Sequence, residues 1–310
     1  MKRLIIDTDT ASDDAVALIL ALRESAVRVE AITVVAGNVP IQTAVKNALI
    51  SVEMAQSYHP PVYQGMAKPL LRELFTSEFV HGDDGMGNMD LPDPSLRVEQ
   101  EHAVDALLRI IEEDAQDLEL ITVGPLTNIA MACLKSPDTM RKLKRVTIMG
   151  SAGFGPGNIT PVAEFNIFVD AEAASIVFKA GLPIFLVGWD VSMGTTFLNQ
   201  QDISEILALG SPLAKFCIRC NKSLQEFNLQ RIGKAGFDLP DPATVAAALY
   251  PETVLETISA YAYVEYQSER TYGQVVIDSL NLFAKKTPNV EICRMMDGAA
   301  FKQRLYRAIQ

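Results

Sequence analysis

The segment Leu4-Ile5-Ile6-Asp7-Thr8-Asp9-Thr10-Ala11-Ser12-Asp13-Asp14 packs four aspartates into eight residues, directly ahead of the apolar run Ala15-Val16-Ala17-Leu18-Ile19-Leu20. Leu4 to Ile6 reads as a buried parallel strand and residues 13 to 22 as the helix that follows. The acids then occupy a strand-to-helix turn at the strand's carboxyl end, where open α/β sheets bind ligands. Strand side chains repeat with period 2, so Asp7 and Asp9 are expected on one side and close together, with Asp13 and Asp14 aimed at the same crevice. Ser12 or Asp13 can serve as N-cap, and an acid in a first turn gains about 0.3–1 kcal/mol from the helix dipole, which explains one or two of the four. The remainder call for a cation. A hard divalent ion with about 6–8 oxygen ligands relieves their repulsion.

The same alternation continues along the chain. Val27-Val35 leads to Asn38 and a helix over residues 40 to 57, Leu118-Val123 to Gly124-Pro125 and the helix Leu126-Leu134, Val146-Met149 to a Gly-rich loop, and Pro183-Val187 to another loop. This predicts an open, mostly parallel, doubly wound (Rossmann-like) sheet with helices on both faces. Thr257-Tyr266 and Thr271-Ile277 flank a short Gln/Ser/Glu/Arg turn and read as an antiparallel hairpin added to the edge. Residues 70 to 98 and 226 to 240 lack periodicity, and long irregular loops in a compact domain are usually functional, so both are candidate lids over the acidic crevice.

The 310 residues are 49% hydrophobic and contain no Ser/Gly-rich linker, repeat or block of like charge, so one domain over 1–310 is expected. The net charge of −11 argues against a nucleic-acid partner. The chain opens directly on a strand and no apolar stretch reaches about 18 residues, so a cytoplasmic location without a membrane anchor is expected. Four cysteines make no disulfide framework, and Cys217 with Cys220 reads as a buried helical pair, since His59, His81 and His102 lie far away in sequence.

If ligands bind along one edge of the sheet, the polar residues that end the strands should meet there: Asn38, the carbonyl of Val123, Asn158, Glu164, Asn166 and Asp241. Singly, each has a local explanation. Asn38 suits a turn, Asn158 tolerates a left-handed conformation after Gly157, and Asp241 before Pro242 suits an N-cap. Their joint arrangement carries the weight.

Asp7-Thr8-Asp9 with Asp13-Asp14 resembles the DxDxxxDD signature of the inosine-uridine-preferring nucleoside hydrolases. Seven further segments follow in that family's order: Ala36-Gly37-Asn38, Val80-His81-Gly82, Val123-Gly124-Pro125-Leu126-Thr127-Asn128-Ile129-Ala130, Ile148-Met149-Gly150, Gly157-Asn158 to Glu164-Phe165-Asn166, Asp241-Pro242, and Thr271-Tyr272-Gly273 to Asp278. The resemblance implies hydrolysis of the N-glycosidic bond of ribonucleosides to base and ribose, in nucleoside salvage, by a homo-oligomer (dimer or tetramer). It implies Ca²⁺ held by Asp9, Asp14, Asp241 and the Val123 carbonyl, with Asp7 adjacent and the remaining positions taken by a water and the ribose 2′- and 3′-hydroxyls. Asp9 would be the general base. Asp13, Asn38, Asn158, Glu164 and Asn166 would bind the ribose, Glu164 and Asn158 toward the 5′ end, with Met149 near the sugar. Carboxylates and amide oxygens around the ring suit an oxocarbenium-like transition state.

The nucleobase side departs from the family. Many members carry a histidine directly before the Asp-Pro, where this chain has Pro240, whose side chain neither donates nor accepts a proton. His81 is then the candidate that assists departure of the base. Trp189, the only tryptophan, cannot be assigned to stacking from sequence alone.

Two other enzyme classes and a binder share parts of this pattern. A haloacid-dehalogenase-type phosphatase also starts with a strand and Asp-x-Asp, but its later acidic loop should follow a strong strand, and Ser77-Glu78-Phe79-Val80 is a poor one. A nicotinamide dehydrogenase needs glycines where the first turn has acids. A non-catalytic nucleoside- or sugar-binding protein with a structural Ca²⁺ is opposed only by the presence of a plausible base in Asp9.

Overall fold

In the computed structural model, which describes residues 1–283 and 286–310, nine strands form one open sheet in the order β3-β2-β1-β4-β5-β6-β9-β7-β8. The strands are β1 Lys2–Thr8, β2 Val27–Val34, β3 Val62–Gln64, β4 Leu118–Thr122, β5 Arg145–Met149, β6 Ile184–Val187, β7 Val254–Val264, β8 Val275–Asp278 and β9 Val290–Met296. β1 to β6 and β9 run parallel, and β7 is antiparallel to both β8 and β9. Strand order reverses at β1, with β2 and β3 on one side and β4 on the other. That reversal opens a crevice beyond the carboxyl ends of β1 and β4, where ligands bind in sheets of this kind.

Side chains alternate across β1. Leu4 and Ile6 enter the core shared with helices Ser12–Leu22, Ile41–Met54, Pro240–Leu249 and Gly298–Ile309, while Ile5 enters the opposite core with helices Ala103–Glu113, Thr127–Lys135 and Ala171–Lys179. All three are fully buried, each contributing about 1.5–3 kcal/mol. Every residue of helix Ser12–Leu22 is buried, as its all-round apolar sequence requires. Among the described residues no helix is long and apolar enough to cross a membrane.

The parallel sheet, the helices on both faces and the late hairpin agree with the expectation from sequence. Three details differ. The hairpin joins the sheet through β9, which inserts between β6 and β7. Helix Pro240–Leu249 starts two residues early, so Asp241 sits inside its first turn, with Leu239 at the N-cap. Residues 226 to 232 close the helix Lys222–Ile232, whose outward Leu229 and Ile232 blur its periodicity. The segment 70 to 98 is irregular apart from the short helix Glu78–His81, which replaces the weak strand considered at Ser77 to Val80.

Candidate active site

Two helix starts and two strand ends meet at the switch point. Asp9, in the turn after β1, accepts the Asn38 N–H on Oδ2 at 2.6 Å, and its Oδ1 is buried without a partner. The loops on both sides can approach because they carry glycine. A Cβ on Gly37 would stand 2.1 Å from Asp9 Oδ2, and one on Gly124 2.8 Å from Oδ1. Asp14 takes the Thr8 hydroxyl on Oδ1 at 2.6 Å and, on Oδ2, the Ala11 N–H at 2.9 Å and the Asn38 amide at 3.3 Å. Oxygens of Asp13, Asp14 and Asp241 lie within 4.8 Å of one another.

Burial, reinforced by the charges of their neighbours, pushes Asp9, Asp13 and Asp241 well above the usual carboxylate range. Asp14 is raised too, chiefly by burial. Among the described residues no lysine or arginine lines the cleft. Unpartnered oxygens on Asp9 and Asp13, in an all-oxygen group without a cationic side chain, form a site that can hold a metal ion.

Asp7 accepts on Oδ2 from Thr33 Oγ1 at 2.6 Å and Asn128 Nδ2 at 2.8 Å, and its Oδ1 is buried without a partner, as is that of Asp9. Burial pushes its carboxyl to about 7. Asp9 lies beyond the end of β1, where strand alternation no longer applies. Neither Ser12 nor Asp13 caps the first helix; Ala11 holds that position.

The remaining predicted residues line one cleft with about 710 Å³ of empty space, part of it open to solvent: Asp13, Asn38, His81, Val123, Met149, Asn158, Glu164, Asn166 and Asp241. Asn166 donates through Nδ2 to the Val123 carbonyl at 3.1 Å and to Met149 Sδ at 3.2 Å. Glu164 is an N-cap, accepting from the N–H groups of Asn166, Ile167 and Ser151, yet burial still pushes it to about 7. Asn158 accepts the Phe165 N–H at 2.9 Å, and its backbone is not left-handed. The Asn38 side chain accepts from Ser77 Oγ at 2.6 Å, which ties the irregular 70 to 98 segment to the acids. His81 is buried, with Nδ1 2.7 Å from Ser12 Oγ, and burial lowers it to about 4. Its ring is therefore neutral at pH 7, and the 3.9 Å approach to Asp13 is not an ion pair.

Sequence reasoning missed other residues that line the cleft, among them Phe79, Leu224, Phe227, Asn228 and Asp238, with Trp189 left unassigned. Asp238 carried a signal, an acid three residues before Asp241. The residues on helix Lys222–Ile232 carried none, because an irregular pattern does not say which side chains turn inward.

Residues 4–303 match the model of the family described as inosine-uridine preferring nucleoside hydrolase. The pyrimidine-specific ribonucleoside hydrolase RihA of Salmonella typhimurium is 35% identical over 308 residues, which is 99% of this chain and 98% of the relative. Among solved structures, a plant nucleoside hydrolase superimposes with a TM-score of 0.93 at 28% identity, covering 99% of this chain and 98% of its own. A purine-preferring ribonucleoside hydrolase from Gardnerella vaginalis gives 0.91 at 28% identity with the same coverage. The chain belongs to the inosine-uridine preferring nucleoside hydrolase family, enzymes that cleave the N-glycosidic bond of nucleosides.

Proposed function

We propose that this chain hydrolyses ribonucleosides to free base and ribose in a Ca²⁺-dependent reaction. The observation that carries this reading is the group of buried carboxylates, of which Asp13 and Asp241 line a cleft that also holds the amides of Asn38, Asn158 and Asn166. When bound, a hard divalent cation held by Asp9, Asp14, Asp241 and the Val123 carbonyl, with Asp7 as neighbour, supplies counter-charge and acidifies water at neutral pH. Asp9 is the general base: Oδ2 is occupied by the Asn38 N–H, which leaves Oδ1 to take the proton of the attacking water. Asp13, Asn38 and Asn166 bind the ribose hydroxyls, Asn158 and Glu164 hold the 5′ end, and Met149 packs against the sugar. As the glycosidic bond lengthens, these oxygens stabilise positive charge on the ring. His81, neutral and engaged at Nδ1 by Ser12, offers its other ring nitrogen to the leaving base as a hydrogen-bond donor. By family likeness we also propose a homo-oligomer, dimer or tetramer, which sedimentation would test.

The deciding measurement is reducing-sugar release across purine and pyrimidine ribonucleosides and their 2′-deoxy analogues, with calcium determined by elemental analysis. Ribonucleosides should exceed deoxynucleosides by at least about two orders of magnitude, because a buried polar site loses its partner when the 2′-hydroxyl is missing. Equal rates would contradict the ribose assignment. Full turnover by chelator-treated protein free of calcium would sink the metal.

A further inference from the structure

The base end of the cleft contains a carboxylate that the hydrolytic chemistry leaves unused. Asp238 is 4% exposed, and no salt bridge reaches it among the described residues. Its Oδ2 accepts the indole Nε1–H of Trp189 at 2.7 Å, and its Oδ1 accepts Nδ2 of Asn228 at 3.0 Å. A buried carboxylate without a cationic partner is costly unless donors satisfy it, and these two do so. The three residues come from separate segments: the start of helix Trp189–Ser192 after β6, helix Lys222–Ile232, and the loop before helix Pro240–Leu249. Asp238 thus fixes the edge of the one indole in the chain while its ring lines the cleft. Beside His81 and Asn228, helices Glu78–His81 and Lys222–Ile232 line the cleft with the apolar Phe79, Val80, Leu224 and Phe227, the rings of Phe79 and Phe227 lying 6.0 Å apart.

We propose that Asp238 is a positioning residue that locks the Trp189 indole as the stacking face for the nucleobase, making Trp189 a specificity-determining residue of this chain. The proposal rests on the nucleoside-hydrolase reading of the site and adds which wall reads the base. Stacking accepts any base, because each has a flat π-face, and it grows with ring overlap, so the wall gains more from a purine than from a pyrimidine.

The test compares calcium-loaded wild type with Trp189→Leu, Trp189→Phe and Asp238→Asn. KM and kcat are measured for inosine and uridine, alongside the inhibition constant of ribose and the indole emission upon addition of hypoxanthine. In Trp189→Leu the KM for inosine should rise about tenfold or more, with a smaller rise for uridine, the size expected for losing one stacking partner. Its kcat should change by less than about threefold, the signature of lost uniform binding. Trp189→Phe, which keeps a flat ring, should recover most of the inosine affinity. Asp238→Asn should shift the indole emission and raise the inosine KM, while ribose inhibition stays at the wild-type value. Inosine KM within about twofold of wild type in both Trp189→Leu and Asp238→Asn would overturn the proposal. So would an equal loss of ribose and inosine affinity, which places the effect on the sugar side. No turnover of any nucleoside by wild type, with hypoxanthine still quenching the indole, would refute the catalytic reading and support the wall.

Discussion

The two oxygens of Asp9 are not equivalent: one is fastened to the Asn38 N–H and the other is buried and unpartnered. Asp9→Asn keeps the shape and removes the base, so kcat should fall by about 10²–10⁴ while KM changes little. An unchanged kcat would take Asp9 out of that role. His81 makes a pH-dependent case. Burial lowers it to about 4, so it is neutral at pH 7, which fits the proposed role of hydrogen-bond donor and not that of an imidazolium acid. Its value gives no reason for kcat/KM on natural nucleosides to decline as pH rises through about 6.5, the ordinary histidine value. A declining limb there that vanishes in His81→Ala would instead reveal an imidazolium acid. His81→Ala should lower kcat more for natural nucleosides than for p-nitrophenyl riboside, whose leaving group departs without a proton; equal falls would assign His81 to the ribose or to loop closure.

At the level of elements, the site exists because loops approach one another more closely than side chains permit. A Cβ on Gly37, in the loop after β2, would stand only 2.1 Å from Asp9 Oδ2. Gly37→Ala must therefore displace the Asp9 carboxylate or the loop, and we expect it to lower kcat, the bound-calcium content and the thermal midpoint together. Retention of all three would mean that the loop yields freely. Which elements would form was largely legible: β1, β2, β4, β5 and β6 and the helices after the first three of these announce themselves by buried apolar runs and turn residues. The three-residue β3 and the mixed Val290–Met296 were not legible, because a short strand carries little pattern and β9 exists through pairing with β6 and β7. Pro242 suggests a helix start with Asp241 as its cap, whereas Pro240 begins the helix two residues earlier.

For the whole molecule, the cost of gathering buried acids should show as stability. Burial raises Glu164 and Asp7 to about 7, so metal-free folded protein holds protons that the unfolded chain releases near the ordinary carboxylate values. Its stability should therefore fall as pH rises from about 5 to 7. His81, lowered by burial, acts in the opposite sense below about 6.5, but it is one group against the raised carboxylates. Chelator-treated protein should melt higher at about pH 5 than at about pH 7, and calcium restored at the higher pH should raise the midpoint by mass action. A chelated protein that instead gains stability toward neutrality would show that its carboxylates are not destabilised by burial.

The sequence by itself determined the doubly wound sheet, the acidic turn at the end of its first strand, and nine of the residues now found around the cleft. Those features are local: apolar runs set the strands, and the order of strands and helices sets the switch point where ligands bind. Only the tertiary structure decided that Asp7 accepts from Thr33 and Asn128, that Ser77 ties the irregular segment to Asn38, and that Trp189, Asn228 and Asp238 meet in the wall of the cleft. These contacts join residues far apart in the chain, and nothing in local periodicity encodes which distant donor a buried carboxylate will find.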